Sequence, residues 1–156
     1  MKTILVPVDF SRATPGVVAQ AVVLAKAVSG RIVLLHVISP PVVVAEYGAL
    51  MESITEIKIA GEKAAAVQLE KLQRQCERRR VKAETRQFTG AVVSTIASQA
   101  KEVGADFVVV GSHGHTALYD LFVGSTTHGV LRRTRCPVVV VPPAKRPAGA
   151  GARGKK

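Results

Sequence analysis

Residues 1–143 are predicted to fold as a single-domain α/β sandwich, an open five-stranded parallel sheet with helices on both faces. Three observations carry that expectation. Short, nearly continuous apolar runs rich in Val and Ile, at 4–8, 107–110 and 138–141, match strands buried on both faces rather than the alternating pattern of a half-exposed sheet. The stretches between strands place apolar residues three and four apart, the spacing of a helix that covers a core. Strand-like and helix-like segments alternate along the chain, which is the order that builds a parallel sheet.

The bulk numbers agree with one self-sufficient domain. A chain of 156 residues buries roughly 68–70% of its unfolded surface, enough for a core without staples. Cys76 and Cys136 fall in a helical stretch and at a strand start, so reduced thiols and a cytoplasmic setting are expected. The chain passes from Met1 and Lys2 directly into a strand pattern, without a leader's apolar core, and no apolar run approaches the ~20 residues of a membrane helix. The formal charge is +11, but Lys145, Arg146, Arg153, Lys155 and Lys156 lie beyond Pro143 and leave +6 for the rest. Residues 144–156 are rich in Ala, Gly and Pro and lack any apolar period; a disordered basic tail is expected there.

In order, residues 2–9 read as the first strand, ending on Asp9. A carboxylate at the carboxyl edge of a central strand suits a crevice ligand, and it equally suits an N-cap of the next helix; the two roles are compatible. The first helix spans 11 or 14 to 29, with Thr14 as a cap, Pro15 at the first helical position and Gly30 as the stop. The second strand is 31–38, where His36 is expected to be a satisfied, half-buried residue. Residues 40–51 begin with two prolines and read as a loop crossing above the strand ends. Ser53 to Glu56 offers a capping box, and Ile54, Ile57, Gly61, Ala65, Leu69, Leu72 and Cys76 then mark one face of a long helix. Residues 78–82, RRRVK, are a basic helix end or a phosphate-binding patch. A weakly alternating third strand, at the sheet edge, covers 81–88, and a helix through Val92, Ile96, Ala100 and Val103 closes at Gly104.

Residues 107–141 are the most informative. The strand at 107–110 breaks at Gly111 into a glycine loop, and a helix follows from about Ser125, capped by Ser125 or Thr126 and ending in Arg132, Arg133 and Arg135. Bare backbone N–H groups and a helix N-terminus converging on one loop form an anion site. The glycines follow G-x2-G-x9-G-[ST], from Gly111 and Gly114 to Gly124 and Ser125. With the opening ILVPVDFS, the strand end LLHV at 34–37 and the closing CPVVVV at 136–141, this pattern resembles the ATP-binding branch of the universal stress protein family. The resemblance covers about residues 2–142. It implies a Rossmann-like sheet of order 3-2-1-4-5, as in the adenine nucleotide alpha hydrolases, which sets Asp9 beside the Gly111 loop.

It also implies roles. Pro7, Val8 and Asp9 would border adenosine, the backbone of Val37 would contact adenine, and Gly111, Ser112, His113, Gly114, His115, Gly124, Ser125 and Thr126 would hold ribose and phosphates. The ligand would be ATP, or ADP or AMP, with Mg or Mn bridging phosphates as a secondary expectation. Members commonly dimerise through the strand matching Val138–Val141, so a homodimer is expected. Many members have Gly where Phe10 follows the aspartate; a bulky side chain there would narrow the adenine side.

Rival chemistries find little footing. Neither G-x4-G-K-[ST] nor G-x-G-x2-G occurs, and there is no G-x-S-x-G nucleophile elbow. His113, His115 and His128 lack Cys or carboxylate partners at zinc spacing. Without an evident base or Arg finger, hydrolysis should be slow or absent, and the expected role is a nucleotide-dependent regulatory module in stress response. A nucleotide hydrolase or nucleotidyl-transfer enzyme using the same crevice, with turnover dependent on Asp9 and on Asp120 as a water-activating group, is the enzymatic alternative. Nucleic-acid contact through the tail and 78–82 would be nonspecific and salt-sensitive, because aromatics are 4% and Trp is absent.

Overall fold

The computed structural model describes residues 1–39, 50–112 and 124–143. Among them the elements run β1 (Thr3–Pro7), α1 (Thr14–Ala27), β2 (Arg31–Ile38), α2 (Leu50–Arg78), β3 (Ala83–Thr89), α3 (Val92–Glu102), β4 (Phe107–Gly111), α4 (Ser125–Arg133) and β5 (Val138–Val141). All strand pairs are parallel and the sheet order is β3-β2-β1-β4-β5. The α/β class, the five strands and their order are therefore as expected.

The continuous apolar runs are explained by two cores. Ile4, Val6, Ile32, Leu34 and Val109 point to the face covered by α1 and α2, while Leu5, Val33, Leu35, Val108 and Val110 point to the face covered by α3 and α4. Each such side chain contributes about 1.5–3 kcal/mol by leaving water, which is why the central strands tolerate no polar alternation. β3 is an edge strand whose residues are half-buried or exposed. Its Glu84 and Arg86 join Arg31 and Glu102 in a surface ion-pair chain. Both cysteines are unbridged, Cys76 buried and Cys136 partly so. Burial pushes the Cys76 thiol up to about 11 and raises that of Cys136.

Helix ends differ from the sequence expectation in three places. α1 has Ala13 at the N-cap position with no side-chain cap, because the Thr14 hydroxyl is turned to Asp9 instead. At its far end Ser29, not Gly30, takes the left-handed conformation (φ 51), and the Gly30 N–H closes on the Ala25 carbonyl at 2.7 Å. Gly30 is needed for a different reason: a Cβ there would lie 2.9 Å from the Lys2 carbonyl oxygen. α2 starts at Leu50, so Ser53 and Glu56 lie inside the helix and do not form a box at its start. Its 29 residues extend about 43 Å, whereas an eight-residue strand spans about 26 Å. The helix overshoots the sheet: Ala65, Leu69, Leu72 and Cys76 are buried, but Ile57 is 72% exposed. No helix among the described residues is long and apolar enough to cross a membrane.

Two contacts set the packing around β4. Gly129 of α4 lies against Val93 of α3, so close that a Cβ would meet the Val93 methyls at 2.8 and 2.9 Å. Asp106, just before β4, accepts the Thr3 N–H at 2.8 Å and pairs with the Lys2 ammonium at 2.7 Å, tying the starts of β1 and β4.

Gly129→Ala is expected to destabilise by about 1 kcal/mol, overpacking outweighing the gain in helix propensity. In a Val93→Ala background the same change should stabilise; equal effects in both backgrounds, measured by urea unfolding, would remove the steric explanation. The Lys2 ammonium, and next the Thr3 amide, hold the Asp106 carboxyl below its ordinary 3.8. That stabilisation is complete above about pH 4 and is lost as pH falls through the lowered value. Asp106→Asn should therefore lower the urea midpoint at pH 7, with the gap from the parent chain closing toward pH 3.

Candidate functional site

β1 and β4 are neighbours in the sheet, but the chain leaves their carboxyl ends in opposite directions, β1 toward α1 and β4 toward α4. The divergence opens a crevice at the topological switch point. On the β1 side, the Val8 N–H still reaches the Leu35 carbonyl at 2.8 Å, after which the chain turns away. Asp9 organises that turn. Its Oδ1 accepts the Ser11 N–H at 2.9 Å and the Thr14 hydroxyl at 3.3 Å, while the residue stays exposed at the crevice. The one side chain thus organises the entry to α1 and lines the crevice.

Phe10 sits in the left-handed region at φ 59, a conformation that costs a bulky residue about 1–2 kcal/mol. Packing offsets the strain. The ring lies 4.4 Å from that of His36 and against the core under α1 and α2, so it lines no part of the crevice and does not narrow it. A glycine would reach this φ without strain, which accounts for the residue Phe10 replaces in the motif. His36 is satisfied, as expected: its Nδ1 donates to the Val8 carbonyl at 2.8 Å.

On the β4 side, the Ser112 N–H donates to the Val141 carbonyl at 2.8 Å, and the Gly124 N–H donates to the Ser112 carbonyl at 2.8 Å. These bonds join the two ends of segment 113–123. The Thr127 hydroxyl donates to the Gly111 carbonyl at 2.7 Å and pins the first turn of α4 over β4. Gly124, rather than Ser125 or Thr126, occupies the N-cap position, and among the described residues no side chain caps the helix. The amides of its first turn therefore have no intrahelical partner and leave a partial positive charge at the crevice.

The peptide groups of β2 alternate between its two neighbours. Leu35 bonds toward β1 through its carbonyl, while Ile38 accepts from Gly90 on the β3 side. Val37, two residues after Leu35, turns its N–H and C=O to the β1 side, where β1 has ended at Pro7. Val37 there lines the crevice.

One cavity of about 500 Å3 collects these features. Pro7, Val8, Asp9, Val37, Gly111, Gly124, Ser125 and Thr126 line it, eight of the expected site residues from four separate stretches of chain. Ser112 does not; its peptide is spent joining the loop ends. His113, Gly114 and His115 lie outside the described residues, as does Asp120. The lining also includes Val92 and Ile96 of α3, which form an apolar wall, and Thr127. Helical spacing had marked Val92 and Ile96 as core, and nothing local reveals that one end of that core is open. Among the described residues, no three His, Cys, Asp or Glu side chains converge as a metal site, and the lining holds no Lys or Arg.

Comparison with known proteins places this geometry. The family model of the universal stress protein family matches residues 1–142. The universal stress protein YxiE of Bacillus subtilis is 32% identical over 142 residues, covering 88% of this chain and 96% of YxiE. The solved structure of protein MJ0577, a universal stress protein of Methanocaldococcus jannaschii, superposes with a TM-score of 0.79 at 27% identity, over 93% of this chain and 98% of that one. A universal stress protein solved in complex with cAMP shares the fold at 22% identity and a TM-score of 0.68, over 92% and 98% of the two chains. The sheet order, the switch-point crevice and the match across residues 1–142 make this chain a member of the universal stress protein family.

Proposed function

We propose that the crevice binds an adenine nucleotide, ATP with ADP or AMP as the alternatives, and that the protein is a nucleotide-dependent regulatory module in stress response. One observation carries the proposal. The N-terminus of α4, which has no side-chain cap among the described residues, and the end of β2 at Val37 line the same cavity, one suited to phosphates and the other to the edge of a base. Its volume of about 500 Å3 is in the usual range for small-ligand sites. The relative solved with cAMP supports an adenine nucleotide as the ligand class.

The residues divide the work by chemistry. Val37 would offer one donor and one acceptor to adenine, with Pro7 and Val8 against the nucleoside and Asp9 within reach of its polar groups. Gly111, Gly124 and the amides of Ser125 and Thr126 would receive phosphate oxygens, and the hydroxyls of Ser125 and Thr126 add donors. Ser112, His113, Gly114 and His115 complete the motif. A Mg or Mn ion would be held by the phosphates themselves, since the described lining supplies Asp9 as its one carboxylate. With no Lys or Arg in that lining, there is no fixed cation to stabilise charge on a transferring phosphoryl group, so hydrolysis should be slow. Residues 1–143 are taken as the functional unit, supported by the family match ending at 142, with 144–156 as an appended tail. The unbridged cysteines fit a cytoplasmic setting.

β5 is the outer strand beyond β4, and Val139 is 37% exposed. Pairing of this apolar edge between two copies would give the homodimer expected of the family.

The nucleotide proposal is tested by mass spectrometry of small molecules released on denaturation, and by titration of the emptied protein with ATP. Adenine nucleotide should be released from the parent chain, and Gly124→Val, whose φ of −57 accepts a side chain, should weaken ATP binding at least about tenfold, or 1.4 kcal/mol. A parent chain that neither releases nor binds nucleotide would overturn it, and rapid product formation over a protein-free control would favour the hydrolase alternative. For the dimer, Val139→Lys is expected to shift the species seen by analytical ultracentrifugation at micromolar concentration from two chains to one.

A further inference from the structure

The pole of the sheet opposite the crevice carries two clusters of unneutralised positive charge among the described residues. Because every strand is parallel, all strand starts gather there, and the helices that precede β3 and β5 deliver basic residues to its two ends. Arg78, Arg79, Arg80 and Lys82 lie at the β3 corner; Arg132, Arg133 and Arg135 lie at the β5 corner. All seven are exposed, and none has a carboxylate partner among the described residues. Of the nearby acids, Glu77 stands beside Arg78, accepts from the Gln73 amide at 3.1 Å and offsets one charge of the β3 corner, while three others are engaged elsewhere. Asp106 is taken by Lys2, Glu84 by Arg31 and Arg86, and Glu102 by Arg86.

Helix dipoles explain part of this pattern only. They favour cations within the last turn, which covers Arg78, Arg132 and Arg133. Arg80, Lys82 and Arg135 lie past the helix ends, and Arg80 takes the left-handed conformation at φ 61 to begin the turn into β3. Along the sheet the two clusters stand four strand spacings apart, about 19 Å, and they flank opposite faces of it, α2 ending on one face and α4 on the other, so they occupy diagonal corners of this pole.

We infer that this pole is a docking surface for the sugar-phosphate backbone of duplex nucleic acid, bound without regard to sequence. Six of the seven cations are Arg, whose planar fork takes two phosphate oxygens at once. A duplex carries one charge per ~1.7 Å of its axis, so a 19 Å span faces phosphates at both corners. No Trp, Tyr or Phe is exposed at these corners, which disfavours base stacking on single strands and leaves no aromatic anchor for a lipid interface. The surface lies at the far end of the sheet from the crevice and does not depend on what the crevice holds.

The test uses the full chain and a 30-base-pair duplex of mixed sequence, with binding followed by fluorescence anisotropy from 50 to 200 mM salt. Three variants are compared: R78S/R79S/R80S, R132S/R133S/R135S, and K145S/R146S/K155S/K156S, each checked by its thermal transition. Each corner variant is expected to weaken binding at least tenfold at 50 mM salt and to make the slope of log K against log salt shallower by about 2–3, with the tail variant retaining the corner-dependent slope. Binding that is unchanged in both corner variants, or lost only with the tail, overturns the inference. So does binding to phosphatidylserine vesicles with none to the duplex, which would reassign the surface to a membrane.

Discussion

Each crossover in this chain must carry a helix back along the sheet before the next strand can begin. That constraint follows from parallel pairing, because a parallel neighbour cannot be reached by a tight turn. It segregates the chain's chemistry. Strand carboxyl ends and helix N-termini gather at one pole, where backbone N–H groups lack partners, and helix C-termini gather at the other with their unsatisfied carbonyls. Within that arrangement the reversal of direction between β1 and β4 makes one place where neighbouring strands lead to helices on opposite faces of the sheet. The crevice is thus a product of topology, and the residues lining it are those that topology happens to deliver.

The crevice is held open by a small set of directional bonds. Asp9 orders the exit from β1, the Thr127 hydroxyl holds α4 against the Gly111 carbonyl, and the Ser112 peptide links β5 on one side to Gly124 on the other. These contacts leave the α4 N-terminus uncapped, where a Ser or Asp at position 124 would satisfy an amide that a ligand could use. The strained Phe10 fits the same pattern, since its left-handed backbone aims Asp9 while its ring is stabilised by His36 and the core behind it.

The ionic features divide by function. Pairs such as Lys2 with Asp106 and Arg31 with Glu84 join strand starts and set the lower rim of the sheet. Partly exposed pairs of this kind contribute little energy each, yet they consume the acids and leave the arginine clusters at the corners unbalanced. The crevice lining is nearly free of formal charge by contrast. The positive potential there comes from oriented amides at the α4 N-terminus, which need no counter-ion and no flexible side chain.

Much of this was legible in the residues alone. Continuous Val and Ile runs declare strands covered on both faces, and their alternation with helical spacing declares a parallel sheet, since both patterns are local consequences of burial. Asp9, Gly111 and Gly124 could be named as crevice residues because the motif is carried by residue identity. The start of α2 and the cap of α4 were not legible, because Ser53 and Ser125 have the chemistry of caps and only the path of the neighbouring chain decides whether it is used. Nor could spacing tell that Ile57 stays exposed while Leu69 is buried, as that depends on where the sheet beneath the helix stops. The open end of the α3 core at Val92 and Ile96, the turning of the Val37 peptide into space vacated by β1, and the meeting of Arg78–80 and Arg132–135 at one pole arise from contacts between distant segments. The sequence by itself determined which elements form and which residue types could meet a nucleotide; the tertiary structure decided which backbone groups are left unpaired and where the charge collects, because both depend on which strands lie side by side.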